Sequence, residues 1–136
     1  MRARVHGSSA NLGPGFDTLG VALALYTEVS VEPTDALVLT VTGEGADLPA
    51  DEQHLAVQVV RSVLGHDRVA ITLTSETPVS RGLGSSAALA VAAATAAGLH
   101  DTVELRRFRS VGEKPSSRVG FAPGRRSGAR NAARDQ

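Results

Sequence analysis

The residues best suited to chemistry lie in one short glycine- and serine-rich segment, residues 78–88, which reads Pro-Val-Ser-Arg-Gly-Leu-Gly-Ser-Ser-Ala-Ala. It follows an alternating apolar run at residues 69–75 and precedes an alanine-rich run, a pattern that predicts a strand, a glycine loop and a helix. The two glycines can adopt positive φ and let the backbone approach a ligand closely. Ser85 and Ser86 fall where the helix begins, and the first amides of a helix have no internal partner. Because such a helix start attracts phosphate, we interpret the segment as a phosphate-binding loop.

A simpler interpretation of the same segment is a turn in which Ser85 or Ser86 caps the helix. The segment is not a Walker A loop, since no lysine follows its second glycine and Lys114 is the only lysine in the chain. A bound phosphate chain would therefore have to be stabilised by backbone amides, the helix dipole and a metal ion.

Length and composition narrow the class of protein. At 136 residues the chain has the size of one domain and can bury a core. It contains no cysteine, which excludes a disulfide framework and a thiolate metal site. It has no signal-peptide pattern and no run near the ~20 apolar residues of a membrane helix, so we expect a cytoplasmic protein without membrane contacts. The four histidines lack the spacing of metal ligands.

Charge divides the chain into two parts. Residues 1–105 carry five arginines and twelve acidic residues, a net charge of −7, whereas residues 106–136 carry nine basic and two acidic residues, a net charge of +7. The second part contains no leucine or isoleucine. Because it cannot bury enough apolar surface to offset its ordering entropy, we predict a disordered basic tail at residues 106–136.

Three explanations of this tail remain open. It could be an arm that contacts nucleic acid, since blocks of like charge are often interaction tails. It could be a solvated extension without a role. It could also be the product of a shifted reading frame in a gene rich in G and C, which would yield Arg, Gly, Ser, Ala and Pro in place of the native sequence. We favour the third explanation, because the composition breaks sharply near Leu105.

Apolar periodicity predicts an α+β domain in the first part of the chain. We expect strands at residues 5–9, 19–31, 36–42 and 69–73, and helices at residues 53–64 and 86–97. Gly65 and Gly98 are expected to end the two helices, because glycine readily takes the left-handed conformation that follows a last helical turn.

A second motif occupies residues 8–20, which read Ser-Ser-Ala-Asn-Leu-Gly-Pro-Gly-Phe-Asp-Thr-Leu-Gly. Alone, it is typical of a glycine turn between two strands, with Asn11 and Asp17 as turn residues. Combined with the glycine loop about 65 residues later, it resembles the N-terminal part of homoserine kinases, which belong to the GHMP kinase superfamily. The resemblance covers about residues 3–98.

This resemblance implies a fold, a reaction and a set of ligands. The fold is an N-terminal domain similar to domain 2 of ribosomal protein S5, followed in the family by a second α+β domain. The reaction is transfer of the γ-phosphoryl group of ATP, with Mg²⁺, to the side-chain hydroxyl of L-homoserine, which yields O-phospho-L-homoserine for threonine biosynthesis. Such a reaction depends mainly on positioning and charge stabilisation, which a helix-start cradle and a metal ion supply.

The resemblance also implies roles for individual residues. Those that match the family's ATP-phosphate loop are Pro78, Arg81, Gly82, Leu83, Gly84, Ser85, Ser86, Ala87 and Ala88. One of the paired serines, Ser85 and Ser86, would help to hold Mg²⁺. Asn11 and Asp17 match polar residues that contact the amino-acid substrate. Asp17 either binds the substrate only or also acts as a general base, and the sequence leaves this choice open.

The chain departs from the family after about Glu104, where the segment that supplies the family's Mg²⁺-binding carboxylate is not found. We therefore expect residues 1–105 to be the ATP-binding N-terminal domain of a truncated chain that lacks the C-terminal domain and is inactive alone. Two alternatives are another small-molecule kinase of the superfamily and a non-catalytic protein that binds nucleic acid through its tail. The net charge of −7 on the first part argues against a nucleic-acid partner.

Overall fold

A computed structural model describes residues 1–10, 12–15 and 18–101. The described elements are strand β1 (Arg2–Ala10), a short 3-10 turn (Gly13–Gly15), strands β2 (Gly20–Pro33) and β3 (Val38–Gly43), helix α1 (Leu55–Leu64), strand β4 (Val69–Ser75) and helix α2 (Ser85–Ala96). This order confirms the predicted α+β class. The predicted tail at residues 106–136 lies outside the described residues, and its disorder and the domain boundary at residue 105 stay predictions.

The four described strands form one sheet in the order β1-β2-β4-β3. β1 pairs with β2 and β2 with β4 in antiparallel fashion, whereas β3 and β4 run parallel and are connected through α1. β2 and β4 are therefore the two central strands, and β1 and β3 are the edge strands. The glycine loop follows the central strand β4.

Alternation places one face of the sheet against the helices. Inward residues of the two central strands are buried, among them Thr27, Val29, Ile71 and Leu73. Val59, Val60 and six alanines of α2 complete the core. The helix α2 contacts β1, β2 and α1. Its alanine side chains are small enough to let it lie close to the two strands.

The opposite face of the sheet is polar. It carries an ion pair between Arg2 and Glu28 and the guanidinium of Arg4 3.7 Å from the centre of the Tyr26 ring. Arg2, Arg4 and His6 are exposed, and they alternate with inward residues along β1. This alternation explains why β1 extends over Arg2–Ala10 rather than the predicted residues 5–9.

Both predicted helices are present with small shifts at their starts. α1 begins at Leu55 instead of residue 53 because His54 is its N-cap, and it ends at Gly65, which has a φ of 75° as expected. α2 begins at Ser85, and Gly98 follows it with a φ of 106°. Within the described part of the chain, no helix is long and apolar enough to cross a membrane.

Candidate functional site

The glycine loop joins β4 to α2 and has the backbone conformation that its sequence predicts. Gly82 and Gly84 both lie in the left-handed region, with φ values of 69° and 68°. Ser80 also has a positive φ, 61°, which is uncommon for a residue with a side chain. Three left-handed residues therefore lie within five positions of the loop, and the last of them is the residue directly before α2.

The start of α2 is capped by the backbone of Gly84 and not by a serine side chain. Ser85 and Ser86 are the first two residues of the helix, so the simpler interpretation, in which one of them is the N-cap, is wrong. Since α2 has 12 residues, its dipole and its first free amides favour an anion in front of Gly84.

A cleft of about 790 Å³ lies in front of this helix start, and we call it the polar cleft after the five serines in its lining, Ser8, Ser9, Ser80, Ser85 and Ser86. The end of β1, at Ser8–Ala10, and the beginning of β2, at Gly20–Ala22, form one wall. The other wall is formed by Gly82 and Gly84 of the loop together with residues 85–87 of α2. The cleft therefore brings the phosphate loop next to the two strand ends that flank the predicted substrate-binding turn.

The substrate residues predicted from the second motif, Asn11 and Asp17, lie outside the described residues. Their neighbours in the chain are described: Ala10, which precedes Asn11, and Gly20, three positions after Asp17, both line the cleft. The roles of Asn11 and Asp17 therefore stay predictions.

A second pocket, of about 380 Å³, also borders the start of α2. Its walls include the apolar side chains of Leu48, Leu73 and Leu89. Ser85 and Ser86 line both this pocket and the polar cleft. The helix start thus separates an apolar pocket from a polar cleft, and a ligand with an apolar ring and a charged chain could contact both.

The other predicted loop residues occupy different positions. Pro78, Arg81 and Leu83 line a groove that they share with Glu44 and Asp47. Ala87 faces the polar cleft, whereas Ala88 is 4% exposed and belongs to the interior. The structure therefore brings together Gly82, Gly84, Ser85, Ser86 and Ala87 at the cleft, and it does not place Ala88 at an accessible surface.

Three buried residues with hydroxyl side chains lie near the end of β4, where the chain enters the glycine loop. Ser75 Oγ lies 3.2 Å from Thr27 Oγ1 and accepts a hydrogen bond of 3.2 Å from the Thr77 amide. All three residues are buried, and Thr77 Oγ1 has no hydrogen-bond partner among the described residues. This cluster was not predicted from the sequence, although Thr27 and Ser75 lie at inward positions of β2 and β4, and Thr77 lies two residues past the end of β4.

His54 is a second residue that the sequence analysis missed. Its Nδ1 accepts a hydrogen bond of 3.3 Å from the Ala56 amide and thereby caps α1, and its ring lines the apolar pocket. Burial lowers the pKa of His54 below its ordinary value of 6.5, partly opposed by the charge of Asp51. The neutral form is also the one whose Nδ1 can accept the capping bond.

This depressed pKa predicts a dependence of stability on pH. Well above pH 6.5, His54 is neutral in both the folded and the unfolded chain, and its contribution to stability is complete. As the pH falls below that value, the unfolded chain binds the proton first, and stability is lost until the lower pKa of the folded state is reached. Urea unfolding between pH 8 and pH 5 should show this loss.

The matched variant is His54→Asn, because asparagine is a good N-cap and does not titrate in this range. The unfolding free energy of the wild type minus that of the variant should decrease as the pH falls from 8 to 5, because only the wild type loses the contribution of neutral His54. A difference that stays constant from pH 8 to pH 5 would contradict the predicted role of His54.

The described residues supply few ligands for a metal ion. Within residues 1–10, 12–15 and 18–101, no group of three or more His, Cys, Asp or Glu side chains could hold one. The hydroxyls of Ser85 and Ser86 are the oxygen donors at the helix start. They suit a hard cation such as Mg²⁺ as single ligands, but they do not form a site by themselves.

Comparison with known proteins agrees with this geometry. Residues 53–112 match the sequence model of the family described as GHMP kinases N terminal domain. The chain is 50% identical over 104 residues to the homoserine kinase of Corynebacterium urealyticum, and the aligned region covers 71% of this chain and 34% of that protein. The chain therefore spans about a third of the length of the curated relatives that it matches.

Solved structures show the same fold. A Listeria monocytogenes protein described as a homoserine kinase superposes with a TM-score of 0.67 at 30% identity, covering 80% of this chain and 42% of that one. The mevalonate kinase of Methanococcus jannaschii superposes with a TM-score of 0.59 at 15% identity, covering 80% of this chain and 44% of that one. These matches show a domain of the GHMP kinase type, and the N-terminal part of this chain belongs to the GHMP kinase family. Among the members of that family, the chain is similar to homoserine kinases, which confirms the resemblance drawn from the two motifs.

Proposed function

We propose that this chain binds ATP through residues 78–88 and supplies the phosphate-binding part of a homoserine kinase. The reaction is transfer of the γ-phosphoryl group to the side-chain hydroxyl of L-homoserine, which gives O-phospho-L-homoserine, a precursor of threonine. One observation carries the proposal: the start of α2 is capped by left-handed Gly84 and faces an open polar cleft. With ATP and a small amino acid as ligands, we expect the protein in the cytoplasm, without nucleic-acid or membrane partners.

The phosphate chain of ATP would lie in front of Gly84. The free amides at the start of α2 donate hydrogen bonds to phosphate oxygens, and the helix dipole stabilises their charge. Phosphoryl transfer gains most from such fixed donors, because charge is spread over the oxygens of the transferred group.

The nucleoside part of ATP would occupy the apolar pocket beside the helix start. That pocket has apolar walls and a few polar groups, which is the usual composition of a site for a planar ring. Because Ser85 and Ser86 line both spaces, the phosphate chain can pass over the helix start from the pocket into the cleft.

Mg²⁺ would neutralise charge on the ATP phosphates when it is bound. In this chain, the hydroxyl of Ser85 or Ser86 would be one oxygen ligand, and phosphate oxygens and waters would complete the shell, as is common for this ion. The described residues contribute no cluster of carboxylates to it.

The acceptor L-homoserine would bind at the polar end of the cleft. In the sequence, Asn11 follows the last residue of β1 and Asp17 precedes β2, so both belong to the segment that connects the two strand ends at this cleft. The Asp17 carboxylate would bind the ammonium or the hydroxyl of homoserine. The proposed catalytic role of Asp17 requires that it lie within hydrogen-bond distance of that hydroxyl.

We expect the 136-residue chain to bind both ligands but to show little turnover alone, since it spans about a third of its relatives' length. Titration calorimetry with ATP and Mg²⁺ tests the first part. Nuclear magnetic resonance spectra of the ¹⁵N-labelled chain should show the largest shifts at Gly84–Ala87. A chain that binds no ATP at millimolar concentration would overturn the proposal.

Asp17→Asn tests the substrate assignment. The change keeps the shape of the side chain and removes its charge, and a lost charged hydrogen bond corresponds to roughly a ten- to hundredfold weaker affinity for L-homoserine. The affinity for ATP should stay the same. If the variant binds homoserine as the wild type does, Asp17 is not in the site.

Another kinase of the same family is the second candidate, because mevalonate kinases share the fold. Titration with L-homoserine and mevalonate as parallel ligands distinguishes the two. Preferential binding of mevalonate would favour the second candidate.

A further inference from the structure

The edge strand β1 is irregular where it passes the glycine loop. Between His6, which pairs with Tyr26, and Ser8, which pairs with Ala22, two steps along β1 correspond to four along β2. The extra residues of β2 leave the regular ladder, and the ring of His6 compensates for this, since its Nδ1 lies 3.0 Å from the Leu23 carbonyl oxygen. A bulge of this kind re-aims the residues beside it and is common next to active sites.

Next to this bulge, the backbone of Ser8 contacts the glycine loop. The Ser8 amide donates a hydrogen bond of 2.9 Å to the carbonyl oxygen of Leu83, the residue before Gly84. This bond joins residues that are 75 positions apart in the chain, and it fixes the peptide from which α2 starts.

Two glycines make the close approach of strand and loop feasible. A Cβ atom on Gly84 would lie 2.6 Å from Ser8 Oγ, and a Cβ atom on Gly7 would lie 3.2 Å from the Leu83 carbonyl oxygen. The contact is therefore one of backbone on backbone. Gly7 is buried in it, whereas Ser8 stays exposed at the wall of the polar cleft.

We propose that Ser8 is a positioning residue of the phosphate loop. Its amide holds the Leu83–Gly84 peptide in the orientation that aims the first amides of α2 into the cleft, so the cradle exists before a nucleotide binds. In the sequence, β1 ends at Ala10, and the next residue is Asn11, the first of the two predicted acceptor residues. This proposal rests on the proposed ATP function for its ligand, but the anchoring itself is a property of the free chain.

Hydrogen exchange of the free chain tests the anchoring. In the wild type, the Ser8 amide should exchange at least about tenfold more slowly than an exposed amide, although it belongs to an edge strand. In Gly84→Ala, which displaces the loop from Ser8, this protection should be lost. Ile71→Val is the control, because it weakens the core far from the loop and should not affect Ser8 selectively. Equal exchange of the Ser8 amide in the wild type and Gly84→Ala would overturn the proposal, whether or not ATP binds.

Nucleotide affinity tests the positioning role. Ser8→Pro removes the amide donor, and proline is tolerated on edge strands, whereas Ser8→Ala removes only the hydroxyl. Ser8→Pro should weaken ATP binding about tenfold more than Ser8→Ala does, as expected for one hydrogen bond. Adenosine, which has no phosphate, should bind both variants alike. Equal losses for ATP and adenosine would point to general damage to the fold and overturn the role of Ser8.

If Ser8→Pro does not fold, a double-mutant cycle decides the question. Ser8→Ala removes the oxygen that a Gly84 Cβ would meet, so Ser8→Ala/Gly84→Ala should regain about fivefold of the ATP affinity lost in Gly84→Ala, as neighbours in contact are coupled. Purely additive effects would overturn the proposed contact. A wild type that binds neither ATP nor adenosine would instead overturn the proposed function and leave the exchange experiment to decide on the anchoring.

Discussion

Replacement of Gly43 by alanine is expected to lower the unfolding free energy by about 2–5 kcal/mol, from steric overpacking and left-handed strain together. Gly43 ends β3 with a φ of 80°, and a Cβ atom there would lie 2.2 Å from the Ser75 carbonyl oxygen. That oxygen also accepts a hydrogen bond of 2.8 Å from the Glu44 amide. The backbone must therefore move, and the end of the parallel β3–β4 pair opens. Such a loss is a large share of the ~5–15 kcal/mol that stabilise a domain.

Gly65→Ala is the matched control for this prediction. Gly65 has a similar φ of 75°, but apart from its two chain neighbours no heavy atom of the described residues would lie within 4 Å of its Cβ. It should lose only the strain of a left-handed alanine, about 1–2 kcal/mol. Urea unfolding followed by far-ultraviolet circular dichroism measures both variants. Equal losses for Gly43→Ala and Gly65→Ala would show that the end of β3 adjusts without cost to the close contact.

The elements that could be predicted from the sequence are those whose pattern is local. The alternation of β2 and β4 and the apolar stripe of α1 depend on residues close in the chain, and these elements lie where the patterns indicate. β3 starts at Val38 rather than residue 36, since Thr34 donates a hydrogen bond to the Ala36 carbonyl oxygen and holds a turn there. The start of α1 was missed because histidine is not among the usual N-cap residues.

The candidate site likewise contains some features that could be predicted from the sequence and others that could not. Positive φ at Gly82 and Gly84 and a helix that starts beside them were predicted, because glycine spacing and the onset of an alanine run are local signals. The contact between Ser8 and Leu83 was not predicted, since it depends on how the bulge in the β1–β2 pair re-aims the strand. The apolar pocket was also missed, because its lining comes from β3, β4, both helices and the loops between them. The apolar lining of this pocket forms only in the folded chain, where these distant segments come together.

Replacement of Gly84 by alanine is expected to weaken ATP binding by roughly a hundredfold, which corresponds to about 2.7 kcal/mol. Two effects act together. The left-handed φ of 68° strains any residue with a Cβ, and that atom would lie 2.6 Å from Ser8 Oγ, against the wall that holds the loop in place. The loop then moves, and the first amides of α2 no longer converge on one phosphate group. Because those amides act only through their fixed orientation, a small displacement is costly.

Gly82→Ala separates the geometry of the cradle from strain in the loop. Gly82 lies in the same loop with nearly the same φ, 69°, but apart from its two chain neighbours no heavy atom of the described residues would lie within 4 Å of its Cβ. It should weaken ATP binding by about thirtyfold at most, the equivalent of about 1–2 kcal/mol of left-handed strain. Calorimetric titration of both variants with ATP, and with adenosine as the ligand without phosphate, gives the comparison. The phosphate-loop assignment requires that Gly84→Ala discriminate against ATP and not against adenosine. If both variants lose the two ligands equally, the phosphates do not lie at the start of α2.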